Sequence, residues 1–226
     1  MTGPKIADQL GMARSTVGAI LRRLGLGKLA ALEPRQPDNR YEREAPGELI
    51  HIDIKSLGRI DGIGHRITGD RSRRKRRIGW DHLHVAIDDA SRLAYAEMLP
   101  TLGSEDAADF LQRALAWYGC DGVRVERIMT DNGSAYRSKL FRQTVGKAGV
   151  RHLRTKPYCP RTNGKAERFI QTSLREWAYA RPFSSSNERA EAVQPWLDAY
   201  NLNRPHSAIG HNTPWQRLNN LLGNDN

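Results

Sequence analysis

The chain has 226 residues, with 36 Lys and Arg against 25 Asp and Glu, a formal charge of +11 at neutral pH and a pI near 10.0. Hydrophobic residues make up 38% and the mean hydropathy is −0.66. No apolar run approaches the roughly 20 residues that cross a bilayer, and the first ten residues lack an apolar signal-peptide core. Two cysteines, Cys120 and Cys159, exclude a disulfide scaffold and form no Cys-x-x-Cys zinc pair. The expectation is a soluble, cytoplasmic, basic protein (nucleoid-associated in a bacterium) with no membrane partner, whose ligand is a polyanion.

Residues 3–26 read as two short helices. Ile6, Ala7 and Leu10 set one apolar face, Gly11 breaks it, and Val17, Ile20, Leu21 and Leu24 resume it at helical spacing. The pattern fits a helix-turn-helix, with Arg14, Ser15 and Thr16 opening the second helix as candidate DNA contacts. Such a module usually needs a further helix to bury its apolar side. With so few residues before it, it is expected to be partial, from truncation or a late assigned start, and marginal alone. Pro34, Pro37 and Pro46 then mark a linker.

Residues 48–55 alternate with period two, Ile50, Ile52 and Ile54 on one face and Leu49, His51, Asp53 and Lys55 on the other, which predicts a strand. A basic run follows, in which Arg71, Arg73, Arg74, Lys75, Arg76 and Arg77 occupy six of seven positions. Strands are predicted over 83–88 and 93–99, joined as a hairpin through Asp89-Ala90-Ser91. A helix is predicted from Ser104, as N-cap, to Gly119. A strand over 123–129 ends at Asp131-Asn132-Gly133, where Gly133 is expected to allow a sharp turn. A helix over 138–147, a strand over 150–155, a proline-containing loop and a helix over 164–180 follow, with Thr162 or Asn163 as its cap. A last helix is placed over 187–200, bent near Pro195, and the tail beyond it is left without an element. This order predicts an α/β fold: a mixed five-stranded sheet flanked by helices and preceded by the partial helix-turn-helix.

Three acids stand out. Asp53 lies within the first strand, opposite the isoleucines. Asp131 follows the fourth strand, and Glu167 falls in the first turns of the helix after the loop. An acid in a strand, one at a strand end and one on an adjacent helix can converge on one point. Carboxylates without softer ligands suit Mg²⁺ or Mn²⁺. Two such ions about 4 Å apart would clamp the attacking and leaving oxygens of a phosphodiester, with Asp53 bridging both and Asp131 and Glu167 completing one each. Taken singly, Asp-Asn-Gly is most often a turn, and a Glu at a helix start serves the dipole. An acid among isoleucines is harder to explain by structure alone.

The stretches Leu49-Ile50-His51-Ile52-Asp53, Met129-Thr130-Asp131-Asn132-Gly133-Ser134 and Pro160-Arg161-Thr162-Asn163-Gly164-Lys165-Ala166-Glu167-Arg168 resemble the core of insertion-sequence transposases of the retroviral-integrase, or D-D-E, superfamily. The 35 residues between Asp131 and Glu167 match that family's spacing. Trp196-Leu197-Asp198-Ala199-Tyr200-Asn201, Arg204-Pro205-His206-Ser207-Ala208 and Thr213-Pro214 resemble its C-terminal signature. The resemblance implies a ribonuclease H-like fold, Asp53, Asp131 and Glu167 as catalytic and metal-binding residues, and strand transfer on double-stranded DNA. The partners it implies are element ends, target DNA and further copies of the chain. It divides the chain into a partial helix-turn-helix (1–30), a linker (31–46), an integrase-type core (47–182) and a C-terminal helix and tail (183–226). The alternatives are a truncated, non-catalytic DNA-binding derivative and, less well matched, a ribonuclease H-type nuclease.

Around the triad, Lys165 and Arg168 are expected to face phosphates, with a solvated helix face as the plain alternative. Gln171, one turn on, could touch DNA or orient Glu167, and Asn132 and Gly133 shape the turn presenting Asp131. His51 is expected to be a satisfied histidine rather than a ligand. The basic run at Arg73, Arg74, Lys75, Arg76 and Arg77 is assigned to DNA backbone contact. Nine basic and two acidic residues lie between positions 55 and 77, and eight and two between 150 and 181, so positive charge brackets the acids.

Overall fold

The computed structural model describes residues 2–27, 42–60, 79–155 and 163–224. They fall into two units, Met1–Tyr41 and Glu42–Asn226. In the first, α1 (Gly3–Leu10) starts with Pro4 in its first turn, where the missing N–H costs nothing, and stops at Gly11 in the left-handed conformation, φ 63°. The turn is closed by Met12 N–H donating to the Ala7 carbonyl, and α2 (Arg14–Arg23) follows. Ala7 and Val17 are buried between the helices, while Leu10 and Leu24 are each 63% exposed. Among the described residues, the apolar side of this pair has no cover.

The second unit is built on β1 (Ile50–Gly58), β2 (Trp80–Asp88), β3 (Ala94–Leu99), β4 (Arg127–Thr130) and β5 (Arg151–Arg154). Their order is β3-β2-β1-β4-β5, with β1–β2 and β2–β3 antiparallel and β1–β4 and β4–β5 parallel. This is the mixed five-stranded sheet expected. The fourth strand is shorter than its apolar run: Gly122 turns the chain at φ 74°, Val123 drops into the core, and regular pairing starts only at Arg127.

The period-two pattern of β1 sorts its side chains between two cores. Ile50 and Ile52 face α3 (Ser104–Cys120), where Phe110, Leu111 and Tyr118 pack on them. The Tyr118 hydroxyl donates to the Leu93 carbonyl at 2.9 Å. The odd-numbered face, with Leu57 beside Leu83, Val85 and Ile87, is covered by Ala166, Phe169 and Ile170 of α6 (Gly164–Ser173) and by Leu197 and Tyr200 further on. Between these lie α4 (Ser134–Arg137) and α5 (Lys139–Lys147), the latter capped by Ser138 accepting from Phe141 N–H. Ser104 is not the N-cap of α3. Gly103 holds that place, and Asp106 turns back to accept from the Thr101 N–H and hydroxyl.

The helix expected to run to residue 180 ends its α-helical part at Ser173 and widens into a π turn over Leu174–Ala178. There the buried Trp177 indole donates to the Arg189 carbonyl. The last predicted helix is two, α7 (Ser186–Glu191) and α8 (Val193–Leu202), broken at Ala192 rather than at Pro195. Pro195 lies in the first turn of α8, where its missing donor is tolerated. Asn201 of α8 bonds both the N–H and the carbonyl of Ala94, sealing part of edge strand β3. The tail carries a further helix, α9 (Pro214–Leu222). Its signal is in the sequence, a Thr213/Gln216 capping box with Pro214 at the first position, and Leu218 anchors it to the core.

Candidate active site

β1 and β4 run in parallel, with His51 level with Met129. Asp53 and Asp131 each follow two residues later, so the acid inside β1 and the acid just past the end of β4 stand at the same level on adjacent strands. α6 packs against β1 and β2 and carries Glu167 close enough for its charge to act on Asp53. Asp53 is half-buried opposite Val85, whereas Asp131 and Glu167 are exposed. Burial, resisted by the Ile54 N–H bonded to Oδ1 and reinforced by the charges of Asp131 and Glu167, pushes the Asp53 carboxyl up to about 6. The structure therefore brings the three predicted acids into one electrostatic neighbourhood.

Asp131 is held by its own turn: Oδ1 accepts from the Gly133 N–H at 2.8 Å. Gly133 has φ −54°, an ordinary value, so its glycine is not needed for a special backbone conformation. It is needed for room, because a Cβ there would sit 2.9 Å from Asp131 Oδ1. Asn132 fastens the same turn by donating to the Thr155 carbonyl. Behind the acids lies Tyr136, 4% exposed, whose hydroxyl has no hydrogen-bond partner among the described residues. Burial, and then the charges of Asp53 and Asp131, raise its phenol pKa well above the ordinary range.

Beneath Asp53 runs a buried polar cluster. His51 has Nε2 at 2.7 Å from Asp89 Oδ1 and Nδ1 at 3.1 Å from Asn163 Oδ1. Asn163 Nδ2 donates to the Ile52 carbonyl at 3.2 Å. Asp89 Oδ2 accepts from the Arg43 N–H, and Lys165 Nζ pairs with the same Asp89 oxygen as His51. Burial pushes the Asp89 carboxyl up, but hydrogen bonds from His51, Lys165 and Arg43 outweigh it and hold it down at about 2. His51 is thus a satisfied histidine, as expected. Asn163 occupies the N-cap position of α6, but its side chain does not cap the helix and is spent on β1 instead.

The residues expected at DNA fare differently. Lys165 does not stand out from the helix; it is turned inward onto Asp89, with its side chain 19% exposed. Arg168 is exposed, and its guanidinium lies 3.5 Å from Gln171 Oε1. Arg14, Ser15 and Thr16 are exposed at the start of α2. The Arg73, Arg74, Lys75, Arg76, Arg77 run lies outside the described residues. Sequence reasoning missed Asp89 and Tyr136, one hidden in the hairpin turn and the other in α4, a four-residue helix that the spacing of apolar residues does not announce.

Residues 43–160 match the integrase core domain family, and residues 148–214 match a second integrase core domain family. The chain belongs to the integrase core domain family. It is 26% identical over 202 residues to a putative integrase of Spiroplasma virus SpV1-C74, covering 84% of this chain and 52% of that protein. It is 33% identical over 90 residues to the putative transposase InsD of insertion element IS2E from Escherichia coli, covering 40% of this chain and 41% of that one. An uncharacterised protein of Caenorhabditis elegans is 29% identical over 171 residues, 76% of this chain and 11% of that protein. The chain thus spans about half or less of the length of these relatives. Among solved structures, it resembles a simian T-cell lymphotropic virus intasome chain at TM-score 0.60, with 21% identity over 96% of this chain and 74% of that one. It also resembles the magnesium complex of the HTLV-2 integrase catalytic core at TM-score 0.54, with 19% identity over 77% and 97%. The fold is ribonuclease H-like. No described helix is long and apolar enough to cross a membrane.

Proposed function

We propose that this chain is a D-D-E polynucleotidyl transferase that cleaves the ends of a mobile DNA element and joins them to target DNA. Asp53, Asp131 and Glu167 are its catalytic residues. The observation that carries this reading is the Asp53 carboxyl, pushed up to about 6 by burial and by the charges of Asp131, just past β4, and Glu167, on α6. Uncompensated negative charge of this kind is what a cation relieves.

The donor set fits Mg²⁺ or Mn²⁺. All three groups are hard oxygen donors, and among the described residues no three His, Cys, Asp or Glu side chains form a ready-made cage for one ion. Mg²⁺ asks for no such cage, because one or two carboxylates together with water and phosphate suffice. Asp53 and Asp131 would hold one ion, Asp53 and Glu167 the other. Bound there, the ions supply Lewis-acid stabilisation of the attacking and leaving oxygens. The chain's own residues do the rest. Asp53 is set by the rigid central strand. The turn through Asn132 and Gly133 orients Asp131. Arg168, exposed one residue after Glu167, is placed to meet a phosphate. Arg73, Arg74, Lys75, Arg76 and Arg77, in the β1–β2 connection, and Arg14, Ser15 and Thr16 of the N-terminal helices add contacts along the duplex. The working form is a homo-oligomer that holds two DNA ends.

The test is strand transfer of labelled element ends in Mg²⁺ or Mn²⁺. Asp53→Asn, Asp131→Asn and Glu167→Gln are each expected to abolish joining while duplex binding persists. Full joining by any of the three would remove that residue from the triad. End binding without joining by the native chain would make it a non-catalytic DNA-binding derivative.

A further inference from the structure

The first turn of α6 is tied to the sheet on two sides. Asn163 reaches β1 twice, through His51 Nδ1 and through the carbonyl of Ile52, the residue before Asp53. Lys165 reaches the β2–β3 turn through Asp89, whose side chain is wholly buried and whose two oxygens are both engaged, Oδ1 by His51 and Lys165 and Oδ2 by the Arg43 N–H. Asn163 and Glu167 are four residues apart and so share a helix face, while Lys165 lies on another. One tie would leave the helix free to roll about its axis, and two ties at different azimuths do not. A roll of about 20° would carry a carboxylate ~6 Å from the axis through about 2 Å, the difference between ligating and not ligating an ion.

We propose that Lys165 and His51 are positioning residues: with Asp89 and Asn163 they set the roll of α6, and so the distance of Glu167 from Asp53, making Lys165 a determinant of divalent-metal affinity rather than a DNA contact. This rests on the reading of the three acids as a metal site. The alternative, a phosphate contact, needs the ammonium group turned outward. It is turned inward onto a buried carboxylate that would otherwise keep His51 as its only side-chain partner among the described residues.

The experiment measures Mn²⁺ binding by calorimetry on the full chain and, separately, duplex DNA binding against salt by fluorescence anisotropy. Lys165→Met and Asn163→Ala are each expected to weaken Mn²⁺ binding about tenfold or more, the usual range for residues that orient metal ligands. DNA affinity and salt slope should stay unchanged, and Lys165→Arg, which keeps the cation, should lie within about threefold of the native chain. Native Mn²⁺ affinity in Lys165→Met, with a salt slope shallower by about one, would make Lys165 a phosphate contact and overturn the proposal. Asp53→Asn separates the two readings. If it binds Mn²⁺ as the native chain does, the metal site itself is wrong and the proposal falls with it. If it loses Mn²⁺ while Lys165→Met keeps it, the positioning role alone is wrong. Should Lys165→Met fail to fold, Asn163→Ala decides on the same readouts.

Discussion

The Gly133 N–H donates to Asp131 Oδ1 at 2.8 Å, and a Cβ at position 133 would stand 2.9 Å from that same oxygen. The turn after β4 therefore holds the second acid through hydrogen bonding and through the absence of a side chain. Gly133→Ala must either rotate Asp131 or shift the turn. Strand transfer is expected to fall about a hundredfold, the cost of roughly 1 Å of misplacement at a reacting centre. Because the site is exposed, the melting temperature should hardly move. Unchanged transfer rates in this variant would show that the Asp131 oxygen tolerates the displacement.

The Asp53 carboxyl gives the protein a pH signature. Its folded-state pKa of about 6 lies above its ordinary value of 3.8, so between these limits the folded state holds more protons than the unfolded one. Stability without divalent ions then falls as pH rises from about 4 through 6, and the penalty is complete above 6. Asp53→Asn removes it, so at pH 8 the variant should be the more stable by something on the order of 1 kcal/mol, and near pH 4 the two should converge. Mn²⁺ should reverse the order, raising the native melting temperature more at pH 8 than at pH 5. Thermal melts over that range, with and without Mn²⁺, check both statements.

Arg189 is 0% exposed and joins α7 to the sheet, Nη2 donating to Asp81 Oδ2 and to the Gly58 carbonyl, each at 2.9 Å. Its Nε and Nη1 have no partner among the described residues. Removing one member of a buried pair costs about 3–5 kcal/mol. Asp81 keeps bonds from Arg59 and Ser186, which places Arg189→Ala at the lower end of that range. Arg189→Met, which keeps most of the volume and leaves no unmatched N–H behind, should cost less. Urea denaturation measures both, and an Arg189→Ala variant as stable as the native chain would contradict this account.

The N-terminal pair buries Ala7 and Val17 and leaves Leu10, Met12, Ile20, Leu24 and Leu26 exposed. Two helices of eight and ten residues are too short to persist on propensity alone. A peptide of residues 1–41 is expected to show mostly coil by circular dichroism at 25 °C. A cooperative helical melt would mean that the pair is self-sufficient.

Salt dependence tests the basic run. Changing Arg73, Arg74 and Arg76 together to Gln should flatten the slope of log affinity against log salt by up to about 0.9 for each phosphate that is no longer neutralised. A slope equal to that of the native chain would remove these residues from the DNA interface.

Much of the fold is legible because its signals are local. Ile50, Ile52 and Ile54 alternate with His51 and Asp53, and that period alone sends the isoleucines to one core and the acid to the other. The Thr213/Gln216 box announces α9 as plainly. The Lys165–Asp89 pair is illegible for the opposite reason: the neighbours of Lys165 in sequence say only that it lies on the helix that carries Glu167. The carboxylate that captures it lies 76 positions earlier in a hairpin turn, and no periodicity links the two.

What can be read from the chain alone is the succession of the five strands, the spacing of Asp53, Asp131 and Glu167 and the placement of positive charge about them, since each depends on residues close together in the chain or on summed charge. Packing settles the rest: that Asp89 is buried between His51 and Lys165, that Asn163 is tied to Ile52 instead of capping its helix, and that Arg189 of α7 is sealed against the sheet. Those outcomes turn on which polar groups lose water together and must find each other when they do. That is settled only when distant segments pack.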